Sequence, residues 1–166
     1  MNEHFYKKIM RLFETHPFYI YPLNLINRIL TLAGFILYPV LLVILAIQLD
    51  RRFFAFLFLP AFFFLALSRI RKLINSPRPY EVYDILPLIP RDGQGQSFPS
   101  RHVFSIFLIG TLWCGTWLPV GVILLLCGVM LAGIRVIAGV HFPKDVAAGA
   151  AVGILCGVLT LWISAL

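Results

Sequence analysis

Ile134-Arg135-Val136-Ile137-Ala138-Gly139-Val140-His141-Phe142-Pro143-Lys144-Asp145 joins two long apolar runs of a 166-residue chain. Arg135, His141 and Asp145 stand on it as R-x5-H-x3-D. An ionisable side chain at membrane depth costs about 2.5–3.5 kcal/mol even by lenient insertion scales, so three within eleven residues call for a functional reason. The surrounding composition says that membrane depth is the right setting. The chain is 60% hydrophobic and only 13% charged, with a mean hydropathy of +0.91. A soluble globule has about 45–50% apolar and about 25% charged residues, so soluble classes are excluded and an integral membrane protein is implied.

Working outward, a helix needs about 20 apolar residues to cross the hydrocarbon core. The first span runs from about Ile29 to Gln48 and is closed by Asp50-Arg51-Arg52. A second, rich in Phe, runs from about Phe53 to Ile70 and ends at Arg69, Arg71 and Lys72. Residues 75–98 form a polar, proline-rich connection. A third span starts near Pro99 and reaches Trp117, a fourth covers about Val120 to Val140, and Pro143 opens a fifth. Residues 1–26 read as an interfacial N-terminal segment. Phe5, Ile9, Leu12 and Phe13 share one helical face, away from most of Lys7, Lys8, Arg11 and Glu14, and residues 17–26 are apolar but too short to span. A solvated helical tail fits residues 1–16 equally well. The N-terminus lacks the compact basic-then-apolar order of a signal peptide, so insertion through the first span is expected. The fold class is therefore all-α: one polytopic bundle over residues 1–166, with about five transmembrane helices and an interfacial N-terminal helix.

Five spans alternate sides. The end of span two, the start of span three, the end of span four and the start of span five must then share one face. Those places hold Arg71 to Arg78, Pro99-Ser100-Arg101-His102, Arg135, and His141 with Asp145. Helix counting thus gathers all of these polar residues at one membrane surface. The residue types there suit phosphate chemistry. Pro143 fits the first turn of a helix, and the residue before a proline is pushed to extended backbone, so His141 stands just outside helix five with Asp145 in reach of its ring. A carboxylate on one imidazole nitrogen leaves the other free to attack; a purely structural His–Asp cap is the alternative. Pro99 sets Ser100, Arg101 and His102 at a helix N-terminus, where N–H groups and the dipole favour phosphate and His102 can act as a general acid. Arg71, Lys72, Arg78, Arg101 and Arg135 supply cations, and arginine matches phosphate oxygens bidentately. Snorkelling at a span end accounts for Arg71 or Lys72 taken alone. Glu81, Asp84, Asp92 and Asp145 form no carboxylate cage, so no metal and no cofactor is expected.

Gly149, Gly153 and Gly157 recur at four-residue steps in line with Asp145. Small residues at this spacing let helices approach closely in lipid, here to seat Asp145 against a neighbour, with self-dimerisation as the lesser possibility. Cys114, Cys127 and Cys156 lie in apolar runs without metal-type spacing and read as buried packing thiols. A net charge of +7 raises nucleic acid as a partner, but the basic residues sit at the lips of apolar segments with no aromatic-interleaved stripe, so none is expected. The sequence leaves the oligomeric state open.

These clusters resemble the signature of the type 2 phosphatidic acid phosphatase superfamily, which includes membrane lipid phosphatases and soluble vanadium haloperoxidases. The family pattern K-x6-R-P, P-S-G-H and S-R-x5-H-x3-D is met by Arg71-x6-Arg78-Pro79, Pro99-Ser100-Arg101-His102 and Ile134-Arg135-x5-His141-x3-Asp145. The resemblance covers residues 71–145, with order and spacing intact. It implies His141 as a phosphohistidine nucleophile, Asp145 as its orienter, His102 as the leaving-group acid, and Arg71, Arg78, Ser100 and Arg135 as phosphate ligands without a metal. Three positions depart from the pattern. Arg71 replaces lysine, with Lys72 able to share its role, and Ile134 replaces serine. Arg101 replaces glycine, which either adds a contact to a second phosphate, as in a diphosphate, or narrows the site.

The implied activity is a metal-independent phosphatase for a membrane lipid, with undecaprenyl diphosphate or phosphatidylglycerol phosphate as natural substrates in a bacterial setting. A phosphotransferase using the same histidine, and a non-catalytic lipid-phosphate binder or carrier, are the alternatives. Tyr80, Tyr83, Ile85, Leu86, Leu88 and Ile89 suit either an apolar lip that admits the lipid tail or plain interfacial anchoring. Of the 14 Lys and Arg, all but Arg51 and Arg52 fall on the motif side, which by the positive-inside rule would face the cytoplasm. The resemblance instead implies an extracytoplasmic site in the cell membrane, and phosphate-binding cations inflate the count.

Overall fold

The structure is a computed structural model that describes residues 3–91 and 93–166, and every regular element among them is helical. Asp92, one of the acidic candidates, lies outside the described residues. Helix α1 covers Glu3–Thr15, a single 3-10 turn covers Pro17–Tyr19, and α2 covers Ile20–Ile47. There follow α3 (Phe53–Ile74), the one-turn α4 (Pro79–Val82), α5 (Arg101–Cys114), α6 (Leu118–Ile137) and α7 (Pro143–Ala165). This is a polytopic helical membrane bundle.

Proline and charge set most of the boundaries. Pro79, Pro119 and Pro143 all fall in first turns, where a missing N–H costs nothing. Helix α3 ends with Asn75 in the left-handed conformation, φ 43°, as a C-cap. Helix α2 begins earlier than the hydrophobicity of its sequence suggests. Its 28 residues span about 42 Å, more than a hydrocarbon core of about 30 Å. Residues 20–26 therefore belong to the first long helix and not to a separate interfacial segment. Asn24 explains the extension: its amide donates to the Leu88 carbonyl at 2.8 Å and ties α2 to the 75–98 connection.

Among the described residues, four helices are long and apolar enough to cross a membrane. The third expected span is the exception. Helix α5 has 14 residues, about 21 Å, and nearly all of it is buried against α7, α6, α2 and α3. It need not satisfy lipid along its length, because its neighbours surround it. The alternation of faces nevertheless holds. Arg52 Nη1 donates to the Gly115 carbonyl at 3.1 Å and Arg51 Nη2 to the Ala165 carbonyl at 3.5 Å. The α2–α3 turn thus meets the ends of α5 and α7 on one face, and the polar clusters gather on the other.

The glycine stripe of α7 lies directly on α5. A Cβ at Gly149 would sit 2.6 Å from the Ser100 carbonyl oxygen, one at Gly153 2.5 Å from that of Phe104, and one at Gly157 2.6 Å from Thr111 Cβ. Backbone contact this close is what small residues provide where lipid gives helices no hydrophobic reason to associate. Of the cysteines only Cys156 is buried; Cys114 and Cys127 are half-buried.

Proline also shapes the α2–α3 pair. Pro60 in α3 has no N–H for the Phe56 carbonyl one turn earlier. Tyr38 of α2 donates its hydroxyl to that carbonyl at 2.8 Å, which satisfies a polar group that lipid cannot.

Candidate active site

The R-x5-H-x3-D stretch folds as a helix stop, a turn and a helix start. At the end of α6, Val140 N–H bonds the Arg135 carbonyl at 3.2 Å and Gly139 N–H bonds that of Val136 at 3.0 Å. This is a Schellman motif, and its left-handed position is Gly139 at φ 74°. His141 follows, its own N–H also on the Arg135 carbonyl at 3.2 Å, and extended Phe142 leads into Pro143. Asp145 in the first turn of α7 accepts the Phe142 N–H on Oδ2 at 2.9 Å.

His141 is 1% exposed and Asp145 wholly buried. The ring and carboxylate come close without a direct hydrogen bond, since His141 Nδ1 lies 3.6 Å from Asp145 Oδ2. Ser97 occupies the gap. Its hydroxyl is 2.5 Å from Asp145 Oδ2 and 3.3 Å from His141 Nδ1. The His141–Asp145 contact thus gains Ser97 as a third member, with Oδ2 also receiving the Phe142 N–H and the Ser97 hydroxyl. Burial above all holds the His141 ring below an ordinary histidine pKa, and Arg78 and Arg135 push the same way against Asp145. The neutral imidazole is the favoured form at neutral pH.

Ser100 N–H bonds the Asp145 main-chain carbonyl at 2.9 Å, which locks the start of α5 to the start of α7. That N–H is consequently committed to the scaffold. The Ser100 hydroxyl and Asp145 Oδ1 are buried and have no hydrogen-bond partner among the described residues. Arg71, Arg78 and Arg135 are all buried. Arg71 donates from Nη1 to the Pro99 carbonyl, across a cis Phe98–Pro99 peptide bond. Arg78 donates from Nε to the Gly95 carbonyl at 2.9 Å and from Nη1 to the Val140 carbonyl at 3.3 Å. Lys72 is exposed and is not among the residues that line the polar pocket.

A polar cavity of about 260 Å³ opens beside this cluster, lined by Arg71, Arg78, Arg101, His102 and residues 93–96. Arg78 lines it and also donates to the Val140 carbonyl next to His141, whereas His141, Ser100 and Arg135 are not among its lining residues. A larger apolar groove of about 570 Å³ runs between α2, α3 and α5, past Leu30, Tyr38, Pro60, Phe64 and Ile109. Arg101 and His102 line both spaces.

Sequence reasoning did not single out four parts of this site. Ser97 is one. Glu81 is another: its two carboxylate oxygens take the Arg78 N–H at 2.7 Å and the Gly95 N–H at 2.8 Å, fixing the loop over the cavity. Tyr6 of α1 is the third, fully buried, with its hydroxyl on the His141 carbonyl at 3.2 Å. Helix α1 turns Tyr6, Ile9, Met10 and Phe13 inward and leaves Phe5 and Leu12 exposed, so the buried face is rotated from the expected one. The fourth is the groove itself. Tyr80, Ile85 and Ile89 of the connection do not form a lip for a tail; they are buried with Tyr6, Met10, Ala138 and Val140 as a core beneath the site. Among the described residues no three His, Cys, Asp or Glu converge as metal ligands.

The family model described as the PAP2 superfamily matches residues 70–165. The chain is similar to the crystal structure of LpxE from Aquifex aeolicus, with a TM-score of 0.70 and 30% identity over 93% of each chain. It is also 38% identical over 66 residues to the bacitracin transport permease protein BcrC of Bacillus licheniformis. That match takes in 40% of this chain and 32% of the permease, so about a third of that relative's length is spanned.

Proposed function

The chain belongs to the PAP2 superfamily, and from that premise we propose that it is a lipid phosphate phosphatase working through a phosphohistidine. The observation that carries the proposal is that Arg101 and His102 line both an arginine-lined polar cavity and a larger apolar groove. A phosphate held by Arg71 and Arg78 has its negative charge matched by planar donors, and a tail attached to it has a continuous apolar course between α2 and α3.

The residues divide the work as follows. Neutral His141 attacks phosphorus through Nε2, while the Ser97–Asp145 pair faces Nδ1 and stabilises the charge the ring acquires. His102 gives its proton to the departing oxygen as the phosphorus–oxygen bond breaks. Arg71, Arg78, Ser100 and Arg135 hold the equatorial oxygens. Water then attacks the phosphohistidine, His102 takes the proton of that water, and inorganic phosphate leaves with His141 regenerated. Undecaprenyl diphosphate and phosphatidylglycerol phosphate are the proposed substrates, and the proposed setting is the cell membrane with the site facing outward.

The alternative is a carrier that binds lipid phosphate without turnover. One assay separates the two. Phosphate release is measured in detergent with excess EDTA from undecaprenyl diphosphate, phosphatidylglycerol phosphate and phosphatidic acid, for the parent and His141→Asn. Release that survives EDTA and vanishes in the variant supports the phosphohistidine route. Binding without release from any lipid supports a carrier or a phosphotransferase.

A further inference from the structure

Among the described residues, Arg101 and His102 border both the polar cavity and the apolar groove, and Arg101 is the permanently charged one of the two. It is the first residue of α5 and is exposed, unlike the buried Arg71 and Arg78. Its guanidinium carbon lies 5.6 Å from the centre of the Phe64 ring, a cation–π contact that holds the charge at the groove mouth. A lipid with its terminal phosphate between Arg71, Arg78 and His102 and its tail along Pro60, Phe64 and Ile109 must pass Arg101 where phosphate gives way to tail. In a monophosphate ester that place holds an ester oxygen and an apolar carbon, which leaves the guanidinium without an anionic partner. In a diphosphate it holds the second phosphate.

We propose that Arg101 selects lipid diphosphates over lipid monophosphates by binding the phosphate nearest the tail. The proposal rests on the reading of the polar cavity as the seat of the terminal phosphate. It also gives Arg101 a part in the chemistry. When His141 attacks the terminal phosphorus, the nitrogen–phosphorus bond forms and the bond to the bridging oxygen breaks. The electron pair and the developing charge go to the lipid monophosphate, beside Arg101, and His102 supplies the proton. Water then cleaves the phosphohistidine, so lipid diphosphate and water give lipid monophosphate and inorganic phosphate.

The test uses the full chain in detergent, with farnesyl diphosphate against farnesyl monophosphate for turnover. Farnesyl methylene-bisphosphonate against farnesyl phosphonate serves for binding, since neither needs to react. Arg101→Gly should lower kcat/KM for the diphosphate by on the order of tenfold to a hundredfold, as loss of a charge-assisted contact does, and Arg101→Lys should recover part of it. The monophosphate should change by less than about threefold, within the range of a lost rim charge. The bisphosphonate should likewise lose its advantage over the phosphonate in Arg101→Gly. An equal fall on both substrates, or no fall on either, overturns the proposal. Selective, Arg101-dependent bisphosphonate binding by a parent that releases no phosphate would sustain the selector while sinking the phosphatase.

Discussion

The Tyr6 hydroxyl donates a hydrogen bond of 3.2 Å to the main-chain carbonyl of His141. Helix α1 lies outside the long helices, yet through this bond it reaches the residue at the centre of the site. Tyr6 also packs edge-on against Phe142, with ring centres 6.1 Å apart, and beside Tyr83. The helix is thus a brace on the turn that presents His141.

Tyr6→Phe keeps the ring and removes only the donor, which leaves a buried carbonyl short of one partner, a cost of about 1 kcal/mol. We expect kcat to fall severalfold with KM nearly constant, because the turn loses definition while the phosphate ligands remain. Steady-state kinetics on one lipid decide it, and a change confined to KM would count against a brace.

Ser97→Ala should do more damage. The hydroxyl is the contact that links His141 Nδ1 to Asp145, and Asp145 Oδ2 would keep only the Phe142 N–H. Hydrogen bonds to charged groups are worth about 1.5–3 kcal/mol, so kcat should drop roughly 10–100-fold. Ser97→Thr retains the hydroxyl and should recover part of the rate. Parental activity in Ser97→Ala would mean that Asp145 serves His141 directly.

The depressed His141 pKa gives a signed pH dependence. The folded state disfavours the protonated ring, so between the lowered folded value and the unfolded value of about 6.5 the unfolded chain binds more protons. The contribution to stability is complete above about pH 6.5 and is lost as pH falls through that window. The acid limb of kcat/KM should likewise lie below an ordinary histidine, with full activity persisting into mildly acidic buffer. Thermal melts of the parent and His141→Asn from neutral to acid pH test the stability half: the parent should lose more.

What the sequence revealed and what it hid follow from how each signal is carried. Hydropathy runs and alternation of faces bring Arg71, Arg78, His102, Arg135 and His141 together, since both depend on neighbours in the chain. The Gly149 stripe is legible for the same reason, and it does seat α7 on α5. Ser97, Glu81 and Tyr6 act through contacts that leave no periodic trace: a hydroxyl on a distant carboxylate, a carboxylate on backbone N–H groups, a phenol on a carbonyl 135 positions away. Helix α5 is the short apolar helix among the long ones, and in sequence its burial among other helices looks like burial in lipid.

The same stripe yields a stability prediction. A Cβ at Gly149 would stand 2.6 Å from the Ser100 carbonyl oxygen, a main-chain atom that cannot rotate away. Gly149→Ala must push α7 off α5 where Ser100 N–H meets Asp145. Overpacking of this kind costs about 1–3 kcal/mol, and we expect a lower melting temperature together with lost activity. Gly133 has nothing within 4 Å of its added Cβ, so Gly133→Ala is the control that should leave both unchanged.

Tyr38 and Pro60 allow a sharper test, because the hydroxyl is argued to replace a specific missing donor. Tyr38→Phe alone leaves the Phe56 carbonyl without the 2.8 Å bond that fills the place of the absent Pro60 N–H. Side-chain hydrogen bonds within membranes average about 0.6 kcal/mol and reach about 1.7, so the melting temperature should fall modestly. Pro60→Ala restores an N–H that the Phe56 carbonyl can take within its own helix. In that background Tyr38→Phe should cost much less, and the double-mutant cycle should show coupling on the order of 0.5 kcal/mol or more. Strict additivity would mean that the hydroxyl and the proline act independently, and that the α2–α3 wall of the groove is held by packing alone.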